Sequence, residues 1–243
     1  MGEIVEVLTR TQVPGASPSL TAYVSRPEGS SRLPGVVLVH EAFGLDDNAR
    51  AAADRVAAMG YVVVAPDLFS EGGALRCLKS TFAAMRRGEG RAFADIAAAR
   101  ELVLQRDDTT DAVGVIGFCM GGGFALMCAA PARGFAASSV NYGQLPPSYD
   151  VLAGGCPVLG SYGARDRGLR GAAATLDAEL TRVGVPHEVT EYPDAGHAFL
   201  DEEMGGPWFL WPVMRLAGVG PEPTTAEVAW GRIAEFFGEH LRG

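Results

Sequence analysis

The chain has no surplus of positive charge. Its 20 Lys and Arg are outnumbered by 29 Asp and Glu, giving a net charge of −9 over 243 residues. No Lys/Arg cluster offsets that balance, so no nucleic-acid partner is expected. Apolar runs are short. None reaches the roughly 18 residues needed to span a bilayer, and no membrane partner is expected. Met1 to Glu6 has neither the basic flank nor the apolar core of a secretory signal, so a cytoplasmic location is expected. Cysteine is scarce. Cys77, Cys119, Cys128 and Cys156 form no Cys-x-x-Cys pair and show no metal-ligand spacing with the four histidines. Reduced thiols are expected, a chain this long folds without disulfides, and no metal or organic cofactor is called for. There is no internal repeat, low-complexity tract or dividing linker, so one domain spanning residues 1–243 is expected.

What is present is ordinary in bulk: 48% hydrophobic and 20% charged residues, the balance of a soluble globular protein. Ile4 to Leu8 and Leu20 to Ser25 read as strands joined through a Pro/Gly/Ser-rich turn region, an antiparallel hairpin at a sheet edge. Gly35 to Val39 and Tyr61 to Ala65 are continuous apolar runs, as in strands covered on both faces. Between them lies a helix over Ala51 to Met59, with Asp47 as a candidate cap and Gly60 as its stop. Glu71 to Gly90 is polar, irregular and helical in part. Arg91 to Leu104 reads as an amphipathic helix. Strand candidates follow at 135–140, 158–162 and 187–191, with a helix over Ala172 to Val183. A Thr224-x-x-Glu227 capping box opens a last helix reaching about Leu241. Strands alternate with helices from Gly35 onward, which predicts an α/β fold: a mostly parallel central sheet with helices on both faces and an antiparallel N-terminal hairpin.

One stretch organises the rest. Val113 to Phe118 reads as a buried strand, Gly117-Phe118-Cys119-Met120-Gly121 follows, and Phe124 to Ala130 reads as a buried helix. A strand, a sharp turn and a helix with a nucleophile at the apex make a nucleophile elbow. Residues two positions either side of the apex must lack a Cβ, so that strand and helix can approach, and Gly117 and Gly121 occupy those places. Four cysteines and 32 glycines in 243 residues give about 0.07 chance matches to Gly-x-Cys-x-Gly, so the motif needs support from elsewhere. Alone, Cys119 reads equally well as a small inert thiol buried at a tight turn.

Support comes from the other strand ends, where function gathers in such sheets. Glu41, Asp166 and His197 each follow a predicted strand. Each also has a plainer reading: a helix cap or solvated group for Glu41, a solvated loop carboxylate for Asp166, a turn histidine for His197. Yet Cys119, Asp166 and His197 fall in the nucleophile–acid–histidine order of an α/β-hydrolase triad. A free thiol is mostly protonated at neutral pH. His197 can accept its proton or pair with the thiolate, and Asp166 can orient the imidazole and stabilise its cation. The Met120 N–H opens the elbow helix, where the helix dipole favours negative charge. With the Ala42 N–H it would form an oxyanion hole.

These residues resemble the dienelactone hydrolase family of α/β-hydrolases over nearly the whole chain. The resemblance is carried by His40-Glu41-Ala42-Phe43-Gly44-Leu45, Ala65-Pro66-Asp67-Leu68, Gly117-Phe118-Cys119-Met120-Gly121-Gly122, Gly163-Ala164-Arg165-Asp166 and Ala195-Gly196-His197-Ala198-Phe199. It implies that Glu41 lies near the resting thiol and takes its proton when substrate binds, after which the thiolate forms an acyl-enzyme. It also implies a small-molecule ester or lactone substrate, a monomer or homodimer, and two arginines that hold a substrate carboxylate. Arg76 is the nearest match to one of them. The other falls four residues after the histidine, where this chain has Asp201, followed by Glu202 and Glu203. A carboxylate there repels an anionic substrate, so recognition by Arg165 or Arg215 would require the fold to bring one of them near.

Met204 to Ala217 adds an apolar stretch, read chiefly as packing of the last helix onto the sheet and secondarily as a lid or pocket wall. Phe43, Phe199, Trp208 and Trp211 are the candidate pocket residues beside Arg76. An apolar neutral ester, thioester or lactone is then favoured over a dicarboxylate. Two other classes stand beside the hydrolase: a thiol-based redox or stress protein, and a non-catalytic ligand-binding protein on the same scaffold.

Overall fold

The computed structural model describes residues 2–7, 13–29 and 32–242. Eight strands form one sheet in the order β1-β2-β4-β3-β5-β6-β7-β8. They span β1 (Glu3–Glu6), β2 (Thr21–Ser25), β3 (Leu33–Val39), β4 (Val62–Pro66), β5 (Thr109–Phe118), β6 (Ala137–Asn141), β7 (Val158–Gly163) and β8 (His187–Tyr192). β1 pairs antiparallel with β2, and β2 antiparallel with β4. The remaining pairs are parallel. The antiparallel edge and parallel body are those expected from sequence. β1 ends at Glu6, and Leu8 lies outside the described residues, as do Ser30 and Ser31.

The continuous apolar strands serve two cores because successive side chains point to opposite faces. Val37, Val39, Val64 and Val115 pack on one face with α2 (Ala74–Arg87), α3 (Arg91–Leu104), α4 (Met120–Cys128) and α5 (Ala172–Val183). Val36, Leu38, Val63, Ala65 and Ile116 pack on the other with α1 (Asp47–Ala58) and α7 (Pro223–Leu241). The last helix is fixed to the sheet by its own Trp230, Ile233, Phe236 and Phe237.

Three local expectations are corrected. The cap of α1 is Asp46, whose side chain accepts the Ala49 N–H at 3.0 Å; Asp47 is the first helical residue. The capping box at Thr224 and Glu227 does not form. Pro223 sits at N1, where its missing N–H costs nothing, and Glu222 caps the helix by accepting the Thr225 N–H at 2.7 Å. Glu227 instead pairs with Arg55 at 2.7 Å. The Met204–Ala217 stretch does not pack α7 onto the sheet. It forms a 3-10 turn at Trp208–Leu210 and α6 (Trp211–Leu216), with Trp208 76% and Leu216 79% exposed.

Candidate active site

The elbow is built where β5 meets α4. Cys119 takes φ 51° and ψ −114°, a backbone conformation costly for a residue with a Cβ. The surroundings leave it no alternative. A Cβ on Gly117 would lie 1.9 Å from the Gly121 carbonyl oxygen, and one on Gly121 would lie 2.0 Å from that of Val39. The turn is pinned by the Cys119 N–H donating to the Asn141 carbonyl at 3.1 Å. The sulfur faces two backbone donors, the N–H groups of Met120 and Ala42. These are the amides that the sequence led us to expect at an oxyanion hole.

Asp166 lies in the loop after β7 and His197 in the loop after β8. The imidazole Nδ1 and Asp166 Oδ2 are 2.6 Å apart. Asp166 Oδ1 accepts the N–H groups of Gly168 at 2.8 Å and Leu169 at 3.2 Å. Burial alone would raise this carboxyl, but the His197 contact and the two amides outweigh it and hold Asp166 below its usual range. With Nδ1 engaged, proton exchange with substrate falls to Nε2. The His197 loop is clamped from below: its N–H donates to the Gly218 carbonyl at 2.8 Å, and its carbonyl accepts from Gly220 at 2.8 Å.

Glu41 follows β3 through His40, which is buried and neutral in character. His40 Nε2 accepts the Leu68 N–H at 3.1 Å and Nδ1 contacts the Glu41 carbonyl at 2.7 Å, so a donor must lie at Nδ1. This ties the Glu41 loop to the loop after β4. Burial, then the nearby Asp201 and Asp46, push the Glu41 carboxyl well above its ordinary value. Its Oε1 is buried with no hydrogen-bond partner among the described residues. Burial, and after it the charge of Glu41, likewise push the Cys119 thiol far up. Both effects favour the protonated thiol over the thiolate.

These groups share one cavity of about 130 Å³, lined by Glu41, Ala42, Phe43, Cys119, His197, Ala198 and Asp201, with Met204, Met214 and Val219 among the rest. Among its described lining residues none is Lys or Arg.

A family model described as the dienelactone hydrolase family matches residues 20–241. This chain belongs to the dienelactone hydrolase family. It is a hydrolase on the α/β-hydrolase scaffold. Carboxymethylenebutenolidase of Rhodococcus opacus is 27% identical, over 96% of this chain and 91% of that protein. The solved structure named m3DLH superposes with a TM-score of 0.81 at 27% identity, covering 99% of each chain. A dienelactone hydrolase-like promiscuous phosphotriesterase, P91, from metagenomic libraries gives a TM-score of 0.77 at 25% identity, over 91% of this chain and 93% of that one.

Arg76, suggested by the family resemblance, and Phe43, Phe199, Trp208 and Trp211, read from the sequence as pocket candidates, are separated by the fold. Phe43 lines the cavity and is 42% exposed. Phe199 does not. It is fully buried beneath Tyr142 and Tyr192, with ring centroids 5.6 and 5.4 Å away. Trp208 projects into solvent, and Trp211 turns its Nε1 to the Gly206 carbonyl at 3.2 Å; neither reaches the cavity. Arg76 is exposed at the start of α2, away from the lining. Arg165 pairs with Asp194 and, with Arg215, lines a separate surface depression. Tyr142 is the residue sequence reasoning missed. It directly follows β6 with φ 40°, is fully buried, and donates its hydroxyl to Asp201 Oδ1 at 3.3 Å.

Proposed function

We propose that this hydrolase cleaves small, uncharged esters or lactones through an acyl-enzyme on Cys119. The observation that carries the reading is the single cavity holding Cys119, His197, Glu41 and the Ala42 backbone together. In its ionised form Glu41 accepts the thiol proton, and the thiolate sulfur attacks the carbonyl carbon. The new C–S bond sends the carbonyl π electrons onto oxygen, which enters the site of the Met120 and Ala42 N–H groups as the sulfur leaves it. One such donor is typically worth about 3 kcal/mol in the transition state. When the adduct collapses, the bond to the leaving oxygen breaks. That oxygen takes the proton held by Glu41, which returns to carboxylate.

Deacylation uses the other half of the site. His197 Nε2 takes a proton from water as its oxygen attacks the acyl carbon, and Asp166 supports the resulting imidazolium. The C–S bond breaks, and the sulfur leaves with the proton from His197. Acid product and thiol are restored.

The preference for uncharged substrates follows from the lining. Its walls are mostly apolar, its ionisable groups include Glu41 and Asp201, and 130 Å³ suits a short acyl group. A substrate carboxylate would face Asp201 in a site of low dielectric, where like charges repel strongly. The test is Cys119→Ala assayed on a panel of neutral and anionic small esters and lactones. Wild type should favour neutral members and the variant should lose turnover; undiminished hydrolysis by the pure variant would refute the nucleophile.

A further inference from the structure

The acid Asp201 is built into the site. It lines the same two cavities as Glu41, and Tyr142 donates its hydroxyl to Asp201 Oδ1 at 3.3 Å. A tyrosine hydroxyl has one proton to donate. Given to Asp201 Oδ1, that proton supports the Asp201 anion. Asp201 Oδ2 has a second donor, Asn48 Nδ2 at 3.3 Å. Glu41 Oε1 is buried with none. The anion is better supported at Asp201 and the proton at Glu41.

We propose that Glu41 and Asp201 form a proton-holding relay in which Asp201, its anion supported by Tyr142 and Asn48, keeps the proton on Glu41. Asp201 is thus a positioning residue: it sets the pH at which Glu41 becomes free to accept the Cys119 proton. The inference rests on the reading of Glu41 as the proton acceptor for that thiol.

The neighbouring charges favour keeping one proton on the pair. Asp46 adds a further negative charge from the start of α1. His40, behind Glu41, has its pKa lowered by burial and lies 3.8 Å from Asp67. His197 stands against the Tyr142 ring with centroids 5.1 Å apart, its Nδ1 committed to Asp166. A second, smaller chamber of about 20 Å³ lies behind the pair, large enough for one water. Both carboxyls line this chamber and the catalytic cavity, so the proton has an exit that does not cross the substrate. Arg55 and Glu202 also line it. Arg55 is already paired with Glu227 at 2.7 Å, and Glu202 adds negative charge. Burial, followed by Asp46, pushes Asp201 up to about 7.

The experiment is the pH profile of kcat/KM on a small uncharged ester, with the rate of Cys119 alkylation by iodoacetamide, read by peptide mass spectrometry, followed in parallel. Asp201→Asn should move the acid limb about one pH unit lower. Rates below both midpoints should then rise about tenfold and converge with wild type at high pH. In a Glu41→Gln background the same change should leave the alkylation profile nearly unmoved. Asp201→Ser serves as a second variant should the amide fail to fold, and melting temperatures report folding. An unmoved acid limb, or an equal shift without Glu41, would overturn the relay. Either result with Cys119→Ala still inactive would leave the nucleophile standing; an active Cys119→Ala would remove the reading beneath it.

Discussion

Two buried acid sites flank one catalytic cavity, and their surroundings drive them in opposite directions. Asp166 is met by three donors: the His197 ring and the amides of Gly168 and Leu169. It is held below the usual carboxylate range. Asp201 has two more distant donors, Tyr142 and Asn48, each at 3.3 Å, and Glu41 Oε1 has none among the described residues. Both carboxyls are pushed up, by burial first and by neighbouring carboxylates after it. Burial is common to both sites. The difference lies in the number of donors and in the sign of the nearest charge. In the proposed mechanism, one site keeps an anion ready to support a histidine cation, and the other holds a proton that must leave before the thiol can be ionised.

The largest effect should come from removing the charge of the low site. Asp166→Asn should lower kcat on a neutral ester by about 10⁴-fold through loss of the imidazole tautomer and its cation, measured by steady-state kinetics on a variant with wild-type circular dichroism. A smaller effect separates the sites by the sign of their pH dependence. Asp166 contributes stability above its unfolded pKa that is lost as pH falls through its lowered folded value. Asp201 does the reverse: its contribution is present below about pH 4 and is lost as pH rises toward about 7. Asp201→Asn should therefore gain melting temperature over wild type at pH 8 more than at pH 4, by a difference on the order of 2–4 °C. Asp166→Asn should lose most at pH 8. Equal shifts at both pH values would erase the distinction. The smallest effect should come from outside both sites. Trp208→Ser should change stability by less than about 0.5 kcal/mol and leave kcat/KM unaltered, because its side chain is 76% exposed and away from the cavity.

The elbow was legible in the sequence because its geometry allows so few residues. Gly117 and Gly121 meet backbone at distances no Cβ tolerates. Strand ends were legible because apolar runs stop where the sheet stops, which located Glu41, Asp166 and His197. Helix starts were less legible. Asp46 and Asp47 are both competent caps, and only the fold chooses between them. Glu222 lies before a proline that a Ser/Thr capping pattern passes over. The stretch around Trp208 misled because its composition is that of a core, whereas a six-residue helix leaves much of its apolar surface in solvent. Tyr142 was not legible at all. Its contact with Asp201 joins residues 59 apart, through a side chain that a strand pattern marks only as buried.

The account depends most on a bond between substrate and the Cys119 sulfur. Rapid acid quench of the protein during turnover of a small neutral ester, followed by peptide mass spectrometry, reads that bond directly. The expected result is an acyl mass on the peptide containing Cys119, absent from the peptides of Cys77, Cys128 and Cys156 and enriched when Asp166→Asn slows deacylation. Full turnover with no adduct at Cys119 under any quench time, together with an active Cys119→Ala, would contradict it.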